Sequence, residues 1–131
     1  MGLFGKKKSA PQVGMTGLSG NRKVDIDHLE RAMAAGDPAA KAVLALLLKD
    51  QDPKRAQELL ELGHSEGNKP CSFMLALFVQ ADDPDRASSL YGYAMPKGER
   101  ANLLMMVAFA KSLQSTYPSE ADFVLKGLGM K

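Results

Sequence analysis

The sequence predicts an all-α protein, a short α-solenoid of antiparallel helix pairs with about seven helices. Three observations predict it. The stretch beginning at Gly36 is written again 31 residues later: Gly36 meets Gly67, Leu44-Ala45-Leu46 meets Leu75-Ala76-Leu77, Asp52-Pro53 meets Asp83-Pro84, Arg55-Ala56 meets Arg86-Ala87, and Leu59 meets Leu90. That makes nine identities in 31 ungapped positions, where composition alone gives about two or three. A period of this length marks stacked helical units. The second observation is Asp-Pro at residues 37, 52 and 83, an acceptor side chain followed by a proline with preset φ, which is a helix-start signal. The third is that no stretch of useful length alternates with the period of two that a strand requires.

The elements follow in order. Residues 1–23 have no helical period. Their Gly2, Gly5, Gly14, Gly17 and Gly20, with Ser9, Pro11 and Ser19, are flexible-linker composition, so they are expected to form a basic tail outside the core. Structure is expected from near Val24, where Ile26, Leu29 and Met33 mark one helical face. This first helix is a half-repeat over 24–36. The repeat over 37–67 holds a helix from Asp37-Pro38 to about Lys49 and another from Asp52-Pro53 to about Ser65, with Gly67 ending it. The repeat over 68–98 holds helices from about Lys69 to Gln80 and from Asp83-Pro84 to about Met95. The last, weaker repeat over 99–131 holds a helix from about Glu99 to Leu113. A loop with Ser115, Thr116 and Pro118 follows, and a final helix runs from about Ser119 to Leu128.

Length and charge set bounds. A chain of 131 residues with 45% hydrophobic and 24% charged residues can bury a core without metal or disulfide support. The net charge of +2 is uneven. Residues 1–24 carry Lys6, Lys7, Lys8, Arg22 and Lys23 and no acid, leaving 12 basic against 15 acidic residues in the remainder. A mildly acidic body argues against a nucleic-acid-binding domain. A single cysteine, Cys71, excludes an internal disulfide and fits a cytoplasmic protein. No apolar run reaches the roughly 18–20 residues of a membrane span. Met1-Gly2 invites a lipid-anchor reading, but Lys6 stands where the myristoylation pattern has Ser or Thr.

The repeated residues resemble the Sel-one-like repeat, a relative of the tetratricopeptide repeat. The first copy supplies Ala40, Leu44-Ala45, Asp52, Arg55-Ala56, Leu59-Leu60 and Gly67-Asn68. The second supplies Cys71, Leu75-Ala76, Asp83, Arg86-Ala87, Leu90-Tyr91 and Gly98-Glu99, and the half-repeat contributes Ala32, Gly36 and Asp37. Alanine replaces the family glycine at Ala45 and Ala76, the aromatic usual at the Leu59 position is missing, and the loop between paired helices is short. The resemblance implies a right-handed superhelix used as a protein-binding adaptor, with no catalytic residues to carry over.

No chemistry announces itself. His28 and His64 lie in different repeats, and no His-x3-His or Cys-x2-Cys pairing suggests zinc. Asp82, Asp83 and Asp85 lack the calcium-loop pattern. No cofactor, metal or catalytic residue is therefore expected, and the chain reads as non-enzymatic. What remains is a stripe on the first helix of each repeat, on the expected concave side: Ala42, Leu46 and Lys49, then Phe73, Leu77 and Gln80, then Leu104, Ala108 and Lys111. It is apolar through its middle, where a solvent-facing stripe is normally polar. Three outcomes are open: a groove for a peptide or helix of a partner protein, burial against neighbouring repeats, or a homodimer interface. The expected function is an interaction scaffold using that stripe. The alternative is a membrane-surface or nucleic-acid accessory protein acting through the basic tail. Leu3 and Phe4 beside Lys6, Lys7 and Lys8 give it at most weak membrane contact.

Overall fold

The computed structural model describes residues 18–95 and 100–128. They form seven α-helices: α1 (Arg22–Ala34), α2 (Pro38–Leu48), α3 (Pro53–Ser65), α4 (Lys69–Val79), α5 (Pro84–Ala94), α6 (Arg100–Leu113) and α7 (Pro118–Gly127). Consecutive helices pack in order, α1 on α2, α2 on α3, α3 on α4 and α4 on α5. The α2 and α4 helices also meet, and α6 packs on α7. This is the expected all-helical stack of pairs.

The helix starts are where the caps put them. Asp37 accepts from the Ala39 N–H at 3.0 Å, Asp52 from Arg55 at 3.2 Å, Asn68 from Cys71 at 3.1 Å and Asp83 from Arg86 at 3.0 Å. Each satisfies a backbone donor that has no partner inside its helix. Gly36 and Gly67 take φ of 96° and 80° where α1 and α3 end, a conformation that costs other residues a Cβ clash. The α1 helix begins two residues before its expected start, because Asn21 caps it by accepting from the Val24 N–H at 3.2 Å. Leu18 packs against the core, so the folded region reaches at least six residues into the stretch expected to be tail. Residues 1–17 lie outside the described residues.

The core is one continuous cluster centred on α2 and α4. Both are buried along almost their whole length, and Leu44, Ala45, Leu75 and Ala76 have no exposed surface. The α3 and α5 helices bury only one side, through Ala56, Leu60 and Gly63 and through Ala87, Leu90 and Ala94. A helix that is apolar all round is the inner layer, and an amphipathic one is the outer layer.

Two ion pairs repeat with the stack. Arg55 on α3 grips Glu30 on α1 with both terminal nitrogens, at 2.8 and 2.9 Å. Arg86 on α5 grips Glu61 on α3 in the same way, at 2.8 and 2.6 Å. The bidentate bonds hold both carboxyls below their ordinary range despite partial burial. All four side chains are more than a third exposed, so solvent screening limits each pair to about 0.5–1 kcal/mol. Their role is to set the register of each outer helix on the one before it.

Candidate functional site

The predicted stripe exists, but most of it is covered. Ala42, Leu46, Phe73 and Leu77 are buried, and Leu46 has no exposed surface. Lys49 and Gln80, at the C-terminal ends of α2 and α4, are half-buried. These six residues do not line an open groove: for Ala42, Leu46, Phe73 and Leu77 the outcome is burial, one of the three left open. Only Leu104, Ala108 and Lys111 face solvent, with Leu104 63% exposed.

The third helix pair lies over part of it, and Tyr91 of α5 meets Phe73 at 5.6 Å. In a row that simply continued, α6 would sit beside α4 alone and α7 would join the outer layer. Instead Met106 and Phe109 of α6 line a small, partly open apolar pocket of about 60 Å³ with Ala39 and Ala42 of α2 and Pro70 and Met74 of α4. The α7 helix crosses the opposite ends. Phe123 lies edge-on to Phe78 at 5.7 Å, under the Lys49 ammonium at 4.8 Å. Gly127 is packed so closely on Leu77 that a Cβ there would stand 3.2 Å from Leu77 Cγ and overlap its Cδ2. The inner face of α7 is Ala121, Val124 and Leu125, all buried, with Leu128 partly so.

Polar chemistry fixes the start of α7. Tyr117 occupies the cap position that Asp52 and Asp83 hold elsewhere, with the same backbone, φ −138° and ψ 70°. It makes no side-chain cap, forgoing about 1 kcal/mol of helix stability. Its hydroxyl instead donates to Asp25 Oδ2 on α1 at 2.5 Å, across 92 residues of sequence. Asp25 is 1% exposed and also accepts from the Ser19 and Gly20 N–H groups at 2.8 and 2.9 Å. Burial pushes its carboxyl up, but the bonds from Tyr117, Ser19 and Gly20 outweigh that and hold it below the ordinary range. Burial and the Asp25 bond together raise the Tyr117 phenol. Beside them Arg22 pairs with the buried Glu120 at 2.8 Å, donates to the Leu47 carbonyl at 2.7 Å and lies 5.0 Å over the Tyr117 ring. None of this is visible as a local motif. The sequence signal is Tyr117-Pro118 where α2, α3 and α5 start with Asp-Pro.

The remaining candidates for chemistry are occupied or inert. His64 Nδ1 lies 2.7 Å from Ser72 Oγ, and its ring meets Tyr93 edge-on at 5.4 Å. His28 Nε2 is buried without a hydrogen-bond partner among the described residues. Among the described residues, no group of three or more His, Cys, Asp and Glu could hold a metal ion, and no helix is long and apolar enough to cross a membrane. A cleft of about 500 Å³ between the Gly36 and Gly67 turns carries Lys41 and Lys69. Lys41 is paired with Glu66 at 2.7 Å, Lys69 lies 5.6 Å from the Tyr93 ring, and Asn68 donates to the Pro38 carbonyl at 2.8 Å. Leu3, Phe4, Lys6, Lys7 and Lys8, which carry the tail reading, lie outside the described residues.

Cys71 is fully buried, and burial pushes its thiol up to about 12. Since the thiolate is the reactive form, a disulfide reagent at pH 8 should release no measurable thiol from native protein within minutes. It should release one per chain in guanidinium. Rapid labelling of the native protein would show that α3 and α4 open readily.

Comparison with protein-family models, with curated proteins and with solved structures found no match to this chain.

Proposed function

We propose that this chain is a non-enzymatic interaction scaffold of the cytoplasm, built like a Sel-one-like adaptor. It binds a protein partner through the part of the stripe that stays open. The observation that carries this reading is the outer face of α6. Leu104, Val107, Ala108 and Lys111 have i, i+3, i+4, i+7 spacing. Leu104, Ala108 and Lys111 are exposed and Val107 is half-buried. A helix face of that kind is normally polar unless something docks on it. An extended peptide or amphipathic helix would set apolar anchors over Leu104 and Ala108, with an acidic residue near Lys111. The reduced, buried Cys71 and the absence of a membrane-length helix among the described residues support the placement.

The test is affinity capture from cells of the native organism, read by mass spectrometry, with the full chain and with Leu104→Glu/Ala108→Glu. A partner held by the wild type should be lost by the variant, while circular dichroism and melting temperature stay unchanged. Equal capture by both proteins sinks the α6 surface.

A further inference from the structure

The geometry points to α7 as an internal ligand. We propose that the groove formed by α1, α2 and α4 binds a short amphipathic helix supplied by a partner protein, with α7 occupying it until that helix displaces it. This rests on the scaffold reading but uses a different surface from the α6 face.

Three features of the fold carry it. First, the groove already holds a helix, so its specificity can be read from α7 itself. That pattern is an aromatic hydroxyl at Tyr117, a carboxylate one turn later at Glu120, and apolar residues at Ala121, Val124, Leu125 and Leu128. The groove answers it with Asp25 as acceptor, Arg22 as cation, Leu77 and Phe78 as apolar floor, and Lys49 over an aromatic ring. Second, among the described residues the main helix-on-helix packing of α7 is against α6. Its attachment to the rest is a ring of side-chain contacts. Third, that ring is anchored by buried charge and hydrogen bonds. Such groups fix register while adding little net stability, because desolvation offsets their attraction. The helix has also lost the side-chain cap that α3 and α5 keep. The apolar face of α7, Ala121, Val124 and Leu125, is buried with this polar ring, so a competitor of the same pattern remakes both kinds of contact and can replace it.

The probe is a fluorescent peptide with the sequence of residues 117–128, titrated into the full-length chain and read by anisotropy. In the wild type, α7 competes from within, so apparent affinity is reduced by the small fraction of molecules with an open groove. Tyr117→Phe/Glu120→Gln in the protein removes the polar hold on its own α7 and leaves the groove residues untouched. The peptide should then bind at least tenfold more tightly. Hydrogen exchange should show α7 losing protection while α1–α5 keep theirs. Tyr117→Phe alone is the milder variant, with a smaller shift in the same direction, should the double variant fail to fold. Unchanged affinity in the folded variants overturns the proposal. So does loss of protection in α7 and α1–α5 together in both variants, which would make α7 a structural cap. Leu104→Glu should leave peptide binding unchanged, so failure here and failure of the α6 surface are separate results.

Discussion

Phe73→Glu should abolish the folded state or lower its melting temperature by roughly 10–25 °C, whereas Leu104→Glu should leave it within a degree or two. The two residues occupy the same predicted stripe, one repeat apart, and differ in what covers them. Phe73 is 2% exposed and meets the Tyr91 ring at 5.6 Å. Truncating a buried phenylalanine alone costs roughly 3–5 kcal/mol. A carboxylate in the same place adds the cost of burying a charge. Against a total stability of about 5–15 kcal/mol, that is most of the margin. Leu104, at 63% exposed, has little to lose, and a surface change of this kind stays within about 0.5 kcal/mol. Thermal denaturation followed by circular dichroism gives both values. A native-like Phe73→Glu protein would falsify the covered groove and restore the open one.

That contrast shows where sequence reading stopped. Caps and spacing are local, so the Asp-Pro starts, the 31-residue period and the inner apolar helices were all legible. The apolar stripe was legible as a stripe, but periodicity reports which residues share a face and not what lies against it. Part of its cover comes from the region where the period weakens. The α6 helix has 14 residues where α2 and α4 have 11, about one extra turn or 4.5 Å. After it α7 starts at Tyr117, whose hydroxyl meets Asp25 on α1. The deciding contacts, Tyr117 to Asp25 and Arg22 to Glu120, join the two ends of the chain and have no local signature. The Arg–Glu pairs were closer to legible. Both join residues 25 apart in positions that the period relates, and a search for charges recurring at 31 would have found them.

Gly63→Ala should destabilise the protein by about 1–3 kcal/mol, although alanine is the better helix former by about 1 kcal/mol. Gly63 lies in α3 where it crosses α4. A Cβ there would stand 2.6 Å from Cys71 Cβ, overlap Cys71 Sγ and lie 3.2 Å from Lys41 Cδ. The Lys41 contact can give way, because it is part of a flexible chain. Cys71 Cβ cannot move without moving α4, whose side chains are packed on every side. Sterics therefore outweigh propensity and decide the sign. The repeat supplies the remedy. One period earlier the corresponding positions are Ala32 and Ala40, and Ala40 is as fully buried as Cys71. The second pair carries a larger residue on the first helix and a smaller one on the outer helix. Gly63→Ala combined with Cys71→Ala recreates the earlier pairing and should recover at least half of the loss. That corresponds to a coupling energy of about 1 kcal/mol or more in a double-mutant cycle. Urea midpoints at constant slope give the four stabilities. If Gly63→Ala alone is stabilising, the α3–α4 crossing is looser than a 2.6 Å approach to Cys71 Cβ requires. If the double variant shows no coupling, the two residues do not share the contact on which the fit of one repeat to the next depends.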